Sequence, residues 1–222
     1  SGAITVAGAM VQDSWSGTLQ PARLDTRSGP WDLHRAVKLT WAGEARTVSL
    51  GAPCWQHSEF KLCLEDSILG AQVRAVATLD GNVKAFNGLL PNGLRARGKL
   101  SSRLALSWQA GQPLGVDGTA SARNLRVTRH YGMGQRVSAV WQTVDLTLNS
   151  QARGLAIQGA VVRDGHKVLR LDALLPKDPA DVLEGTLDMQ GLQLATLSPW
   201  VTELSRLEGS LTGTLRLGGT VA

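Results

Sequence analysis

The sequence has 222 residues, is 43% hydrophobic and carries a formal charge of +5 at pH 7. No apolar run approaches the ~18 residues that a membrane-spanning helix needs, and no charged and then apolar leader opens the chain. Glycine is common, with 25 residues, and bulky aromatic residues other than tryptophan are scarce, which favours many strands and tight turns over helical packing.

In chain order, the first third predicts short strands separated by turn-forming residues. The breaks are rich in glycine and proline, as at Ser28–Pro30 and Gly51–Pro53. The predicted strands cover residues 4–11, 17–25, 31–41, 45–50 and 71–79.

The only two cysteines flank a predicted hairpin. Polar turn residues separate two apolar flanks, and a four-residue loop at His57–Phe60 would place Cys54 opposite Cys63. From the residues alone, a disulfide and two buried thiols both remain open. The absence of a C-x-x-C spacing gives a zinc site little support.

Two short apolar pieces have helical spacing, and they suggest an internal repeat. The first contains Val83, Phe86, Leu89 and Leu90, and the second runs from Leu194 to Leu204. A shift of about 111 residues brings residues 83–106 onto residues 194–217. We therefore expect residues 1–222 to be a single fragment of a longer repetitive sheet.

Strict alternation of apolar and polar residues dominates the rest of the chain, as in Leu207–Leu217. A period of two is typical of strands with one dry and one wet face, so the predicted fold class is all-β, mostly antiparallel, with one or two short helices. Alternation alone cannot separate an open groove from a closed β-sandwich. The residues predicted to line the dry face are Leu104, Leu106, Ala120, Ala122, Val137, Ala139, Leu146, Leu148, Ile157, Leu211, Leu215 and Leu217.

Charge and motif content argue against several function classes. The arginines are scattered along the strands without a basic block, which argues against a nucleic-acid partner and leaves either a solvated outer face or a weak attraction to anionic lipid head groups. The four histidines lie in polar or turn-like stretches and are expected to be exposed. Hydrolase, phosphate-loop, zinc-protease and dinucleotide motifs are absent, so we expect no enzyme activity, cofactor or metal.

Several motifs resemble those of one bacterial family. The run Trp15–Leu19, the segment Asp25–Leu33 and the Cys54-Trp55 pair with Leu62-Cys63 look like the middle region of the TamB family of AsmA-like, bridge-type lipid transfer proteins. The segments Leu194–Pro199 and Leu207–Gly219 are similar to the recurring element of that family. The cysteine-tryptophan hairpin is the most specific part of this resemblance.

The resemblance implies a fold, a compartment and partners. It favours a long curved sheet, a β-taco whose apolar concave face is an open groove, in the periplasm of a Gram-negative bacterium and anchored in the inner membrane outside this fragment. A periplasmic location implies that Cys54 and Cys63 are bonded. Expected partners are phospholipids, a TamA-like outer-membrane barrel protein that binds other regions, and nascent outer-membrane proteins.

Two functions from different classes follow from an open sheet. In the first, the dry face shields phospholipid acyl chains during transport between the inner and outer membranes. In the second, an exposed strand edge assists outer-membrane protein assembly, including autotransporters, by strand pairing.

Overall fold

The computed structural model describes residues 2–26, 29–65, 67–131, 134–200 and 207–220. The described strands form one large antiparallel sheet that is not closed. This confirms the all-β prediction, and of the two architectures that the sequence left open, the open sheet is the one observed. No helix within the described ranges is long and apolar enough to cross a membrane.

The secondary structure consists of 18 described strands and two described 3-10 helices. The strands are β1 (Gly2–Ala3), β2 (Val6–Val11), β3 (Ser14–Leu19), β4 (Ala22–Thr26), β5 (Gly29–Leu33), β6 (Val37–Ala42), β7 (Thr47–Leu50), β8 (Cys54–Gln56), β9 (Phe60–Leu64), β10 (Ser67–Gly70), β11 (Gln72–Asn82), β12 (Leu94–Gln109), β13 (Gly115–His130), β14 (Arg136–Ser150), β15 (Gly154–Arg163), β16 (His166–Pro176), β17 (Val182–Gln193) and β18 (Ser210–Thr220). The helices are η1 (Val83–Leu89) and η2 (Leu194–Leu197).

The chain divides into two compact units. Unit 1 contains residues 1–81 and 101–118, and unit 2 contains residues 82–100 and 119–222. Strands β12 and β13 therefore contribute residues to both units. The prediction of a single repetitive fragment with a 111-residue repeat stays a prediction. Residues 201–206, which include the end of its second helical piece, lie outside the described residues.

Unit 1 is an up-and-down meander in which each early strand is split into two halves. The strands β2, β3, β6, β7 and β10 pair in that order and form one set, which we call the Met10 row. The strands β1, β4, β5, β8 and β9 form a second set, the disulfide row. Strand β11 pairs with β9 and β10 and so joins both rows.

The interruptions between the two rows explain why the predicted strands were too long. Pro21 separates β3 from β4, and Pro53 lies just before β8. Proline has no backbone N–H to donate to a neighbouring strand, so regular pairing stops at these positions. The predicted strand 17–25 is therefore two shorter strands, β3 and β4. The predicted strand 31–41 is also two shorter strands, β5 and β6, which the irregular segment 34–36 separates.

The cysteine hairpin has the predicted register. His57 and Phe60 exchange both backbone hydrogen bonds, at 2.7 and 3.3 Å, and the next pairs outward bring Cys54 opposite Cys63. The two residues form a disulfide, with a Cα–Cα distance of 4.0 Å. Because directly opposed residues without mutual hydrogen bonds come closest in an antiparallel pair, this is a suitable position for a cross-strand disulfide. The predicted Cys54–Cys63 bond is confirmed.

In unit 2 the strands β14 to β18 pair consecutively, each antiparallel to the next. The register shifts between Val161 and Val162 and again between Met189 and Leu192. In β13, Asn124 has a φ of 51° within the strand. Such irregularities bend strands and increase their twist, so the sheet of unit 2 is bent at these positions.

The two helical pieces differ from the sequence prediction. Helix η1 begins with Asn82, whose side chain accepts a hydrogen bond from the backbone N–H of Lys84 at 2.9 Å. Leu89 was expected on its apolar side, but its side chain is 82% exposed. A 3-10 helix has three residues per turn, which places Leu89 in line with Val83 and Phe86, so the helical period does not account for the exposure of Leu89, the last residue of η1.

The disulfide generates a testable stability prediction. Replacing both cysteines, as Cys54→Ala with Cys63→Ala, should lower the free energy of unfolding by about 2.5–3 kcal/mol, because the unfolded chain regains the freedom of the closed loop. Urea unfolding of oxidised protein measures this difference. The double variant should be insensitive to dithiothreitol, whereas an unchanged wild-type midpoint after reduction would contradict the prediction.

Candidate apolar faces of the sheet

The apolar side chains of unit 2 form continuous rows across five strands. One row is Leu146, Gly159, Leu171, Leu187 and Leu215, each paired with the next across neighbouring strands. Because alternate residues of a strand share a face, the rows two residues away lie on the same side. These rows are Val144, Val161, Leu169, Met189 and Gly213, and Leu148, Ile157, Ala173, Gly185 and Leu217.

The opposite face of the same strands is polar. Its rows include Asp145, Ala160, Arg170, Asp188 and Thr214, and Thr147, Gln158, Asp172, Thr186 and Arg216.

Several charged side chains of this polar face are hydrogen-bonded to polar neighbours. Arg170 Nε lies 2.7 Å from Asp172 Oδ2, and this hydrogen bond raises the pKa of Arg170 above its usual value. Asp145 accepts a hydrogen bond from Ser121, at 2.6 Å, and Asp188 accepts one from Thr214, at 2.5 Å. The two faces of unit 2 therefore differ completely in chemistry.

Part of the apolar face is accessible. Leu146 is 38% exposed and Leu215 is 51% exposed. Glycine and alanine interrupt the rows of larger side chains, and a Cβ on Gly185 would come within 3.0 Å of Ala173 Cβ. A cleft of about 530 Å³ in this part of the sheet is lined by Ile157, Leu217 and residues of both faces.

Another part of the apolar face is packed. Leu94, Ala96, Val127, Ala139 and Trp141 form a buried cluster. Val83 and Leu90, at the two ends of the η1 segment, pack against it. The helix thus covers one end of the sheet while the rows at Leu146 and Leu215 remain partly open.

The Met10 row of unit 1 repeats the same two-faced pattern. Met10, Trp15, Trp41, Val48 and Leu69 lie opposite one another across all five strands. The alternate positions on the other face are mostly serine, threonine and lysine, such as Ser16, Thr40 and Ser49. Met10, Trp41 and Leu69 are exposed, so this apolar face is also open.

Trp15 is seated on two glycines of the Met10 row. Gly8 and Gly17 are paired with each other, and a Cβ on either would collide with the indole of Trp15. The ring therefore lies over the glycine pair. The indole thus fills the space above two residues that have no side chain.

In the disulfide row, the disulfide and the apolar residues lie on opposite faces. Leu33, Trp55, Leu62 and Leu79 form an apolar row. Cys54 is one residue from Trp55, so the disulfide shares the polar side with Gln56 and Lys61. The disulfide fixes the register without occupying the apolar face.

His57 corrects one expectation from the sequence. Its side chain is buried rather than exposed, and its ring lies 5.2 Å from that of Trp31. The backbone N–H of Glu59 donates to His57 Nδ1 at 3.3 Å. The hairpin therefore places the imidazole against the ring of Trp31. The two residues are far apart in the sequence. The other three histidines, His34, His130 and His166, are exposed as expected.

One ion pair in unit 1 perturbs the titration of a carboxylate. Arg103 makes a bidentate contact with Glu65, and the second of its hydrogen bonds measures 2.9 Å. This bonding lowers the pKa of Glu65 and raises that of Arg103. Both side chains are about half exposed, so the pair is a surface contact.

The predicted dry-face residues divide between the two units. Leu104 and Leu106 belong to unit 1, and the other ten belong to unit 2. The apolar rows of unit 2 contain Leu146, Leu148, Ile157, Leu215 and Leu217. Leu211 pairs with Leu192 beyond the register shift, and Ala139 is buried in the packed cluster.

Side-chain hydrogen bonds of neighbouring residues show which face carries Ala120, Ala122 and Val137. Ser121 bonds to Asp145 of the polar face, so its neighbours Ala120 and Ala122 point to the apolar side. Ser138 bonds to Thr128 at 2.8 Å, and Val137 lies on the side opposite Ser138 with Ala139.

Sequence reasoning missed other members of the same rows. These residues are Met10, Trp15, Trp41, Val48, Leu69, Val144, Val161, Leu169, Leu171, Leu187 and Met189. Their alternation was visible in the sequence, but only the pairing register reveals that they align across strands.

Comparison with known proteins identifies one family model. The model described as "TamB, N-terminal domain" matches residues 1–222. The prediction of a middle region is therefore wrong, because alternating leucine and glycine motifs can recur along a repetitive sheet and do not fix a position within it. No solved structure matches the chain.

The glycine pair beneath Trp15 gives a prediction for the Met10 row. Gly17→Ala should lower the free energy of unfolding by about 1–3 kcal/mol, because the new methyl group displaces the indole from its packed position. Chemical denaturation followed by tryptophan fluorescence measures the change. Gly88→Ala adds the same methyl group where no atom lies within 4 Å and should be nearly neutral. Equal effects at both positions would contradict this packing account.

Proposed function

This chain belongs to the TamB family, and from that premise we propose that its apolar faces shield phospholipid acyl chains in the periplasm, between the inner and outer membranes. The TamB family acts in outer-membrane assembly and lipid transport, and its members are anchored in the inner membrane with a periplasmic portion. We propose the same compartment for this segment, with no catalytic step of its own. A TamA-like barrel protein is the proposed partner of the larger assembly.

The observation that supports this proposal is the open row through Leu146, Gly159, Leu171, Leu187 and Leu215. An apolar surface normally packs against another layer, and a broad exposed one marks a binding site. Here the row extends over five paired strands, and its two end residues remain more than a third exposed. Acyl chains suit such a surface because they need apolar contact along their length and no hydrogen bonds.

The contrast between faces supports a route for lipid rather than general stickiness. Every second residue of β14, from Thr143 to Thr147, returns to a polar face. Lipid tails would be confined to one side of the sheet. Head groups would stay in water beyond the strand ends, which avoids the cost of burying their charge.

A second candidate function rests on strand β18. Within unit 2 this strand pairs with β17, and nearly all of its residues are exposed. An open strand edge presents unpaired backbone groups and can accept a strand from another protein. Assembly of outer-membrane proteins by strand pairing would use this edge and not the side chains of the apolar face.

The two candidates can be separated by charge substitutions on opposite faces of one strand. Leu146→Arg should reduce the phospholipid bound to purified protein more than tenfold, because an unpaired charge in an apolar site costs several kcal/mol. Thr147→Arg, one residue away on the polar face, should bind as much lipid as the wild type. Mass spectrometry of extracted lipid gives the amount per mole of protein.

Thermal unfolding is the control for this comparison. Both variants should unfold near the wild-type temperature, since the partly exposed Leu146 can direct an arginine toward water. Undiminished lipid in folded Leu146→Arg protein would reject the shielding function. Crosslinking of a β-strand peptide to β18 in the same variant would then favour edge pairing.

A further inference from the structure

A basic cleft lies on the polar side of unit 2, away from the apolar rows. Its volume is about 670 Å³, and its lining includes Lys84, Arg95, Arg97, Arg126 and Arg136 together with His130. Among the described residues that line the cleft, none is an aspartate or glutamate. The residues come from η1, β12, β13 and β14, which explains why no basic block is visible in the sequence.

The pairing of the strands brings these charges together. The backbone N–H of His130 donates to the carbonyl of Gly93 at 2.8 Å, and continuing this antiparallel register sets Arg97 across from Arg126. The hydrogen bond between Thr128 and Ser138 likewise sets His130 across from Arg136. Like charges directly opposed on neighbouring strands are destabilising, so the placement of Arg97 across from Arg126 is unfavourable without an anion.

The rest of the same polar face provides an internal comparison. There Arg170 contacts Asp172 at 2.7 Å and Arg153 contacts Glu184 at 3.2 Å. The cleft has arginines at the same alternating spacing but no carboxylate in its lining. Two hydroxyl side chains, Thr128 and Ser138, lie among them and can also bind an anion.

The chemistry of the lining favours phosphate. Arginine guanidinium groups bind phosphate oxygens in a bidentate way. The lining contains no tryptophan, tyrosine or phenylalanine, whereas proteins that bind single-stranded nucleic acid stack its bases on aromatic rings. A compact phosphate group therefore suits the cleft better than an oligonucleotide.

An exposed apolar residue beside the cleft points to a membrane surface. Leu89 ends η1, the helix that contributes Lys84 and Asn87 to the lining, and its side chain is 82% exposed. A basic surface next to an exposed large apolar side chain is typical of segments that lie at the lipid interface. We propose that this cleft binds the phosphate head groups of anionic phospholipids at a bilayer surface.

This site is separate from the acyl-chain function, and it does not rest on that proposal. The cleft uses polar-face residues of β12 to β14, whereas the open row uses apolar-face residues of β14 to β18. Leu146→Arg should therefore leave binding to anionic vesicles unchanged, even where it removes copurified lipid. The two proposals can fail independently.

The test is cosedimentation of the full chain with vesicles at about 0.15 M salt. Phosphatidylcholine vesicles containing phosphatidylglycerol should bind the wild type, and pure phosphatidylcholine should bind it at least tenfold more weakly. Arg97→Gln with Arg126→Gln should weaken binding to the anionic vesicles about tenfold. Arg153→Gln with Arg216→Gln removes the same charge from the same unit and should change binding less than twofold.

Further arms distinguish the source of the phosphate. Leu89→Ser should weaken vesicle binding but leave binding of soluble glycerol 1-phosphate unchanged, because it removes the apolar contact without adding charge. If only the soluble phosphate binds, or if Leu89→Ser has no effect on vesicle binding, the membrane assignment is overturned. Equal losses of vesicle binding in both arginine double variants would mean that net charge alone causes the binding, and this result would reject the site. Tighter, cleft-dependent binding of a single-stranded oligonucleotide would also reject it.

Discussion

The pairing register between neighbouring strands is the constraint on which this structure depends. Because side chains alternate with a period of two, a shift of one residue would move an entire apolar row to the polar face. In unit 2 the register holds five strands so that Leu146, Leu171, Leu187 and Leu215 align. In unit 1 the Cys54–Cys63 bond fixes one register covalently from the polar side. Two distinct surfaces therefore exist on each sheet.

Irregular positions divide or bend the strands of these sheets, but the apolar and polar faces remain separate. In unit 1 the proline-containing gaps divide long strands into two rows, each with its own apolar side. In unit 2 the register shifts after Val161 and Met189 separate a packed region, covered by η1, from the open rows. Packing at one end gives the unit a stable core, and the open rows are then available for ligand. The basic cleft uses the other face of the packed region.

Sequence alone predicted those features that depend on local order. Turn residues between Trp55 and Leu62 determined the hairpin, and with it the cysteine pairing. Alternation within β14 identified Leu146 and Leu148 as dry-face residues. Contacts between distant segments were not predictable from the sequence. His57 is buried against Trp31, and Arg97 lies across from Arg126, because of pairings between strands that the sequence of one strand does not determine. Leu89 was expected on the apolar side of its helix, but it is the last residue of η1 and its side chain is exposed.

The central claim is that acyl chains contact only one face of these strands. The most direct measurement is to place a photo-crosslinking residue at each position from Val144 to Asn149 in turn and to identify lipid adducts by mass spectrometry. The account predicts adducts with a period of two, at Val144, Leu146 and Leu148, and none at the alternate positions. Equal adducts at all six positions, or adducts only at Asp145, Thr147 and Asn149, would contradict it.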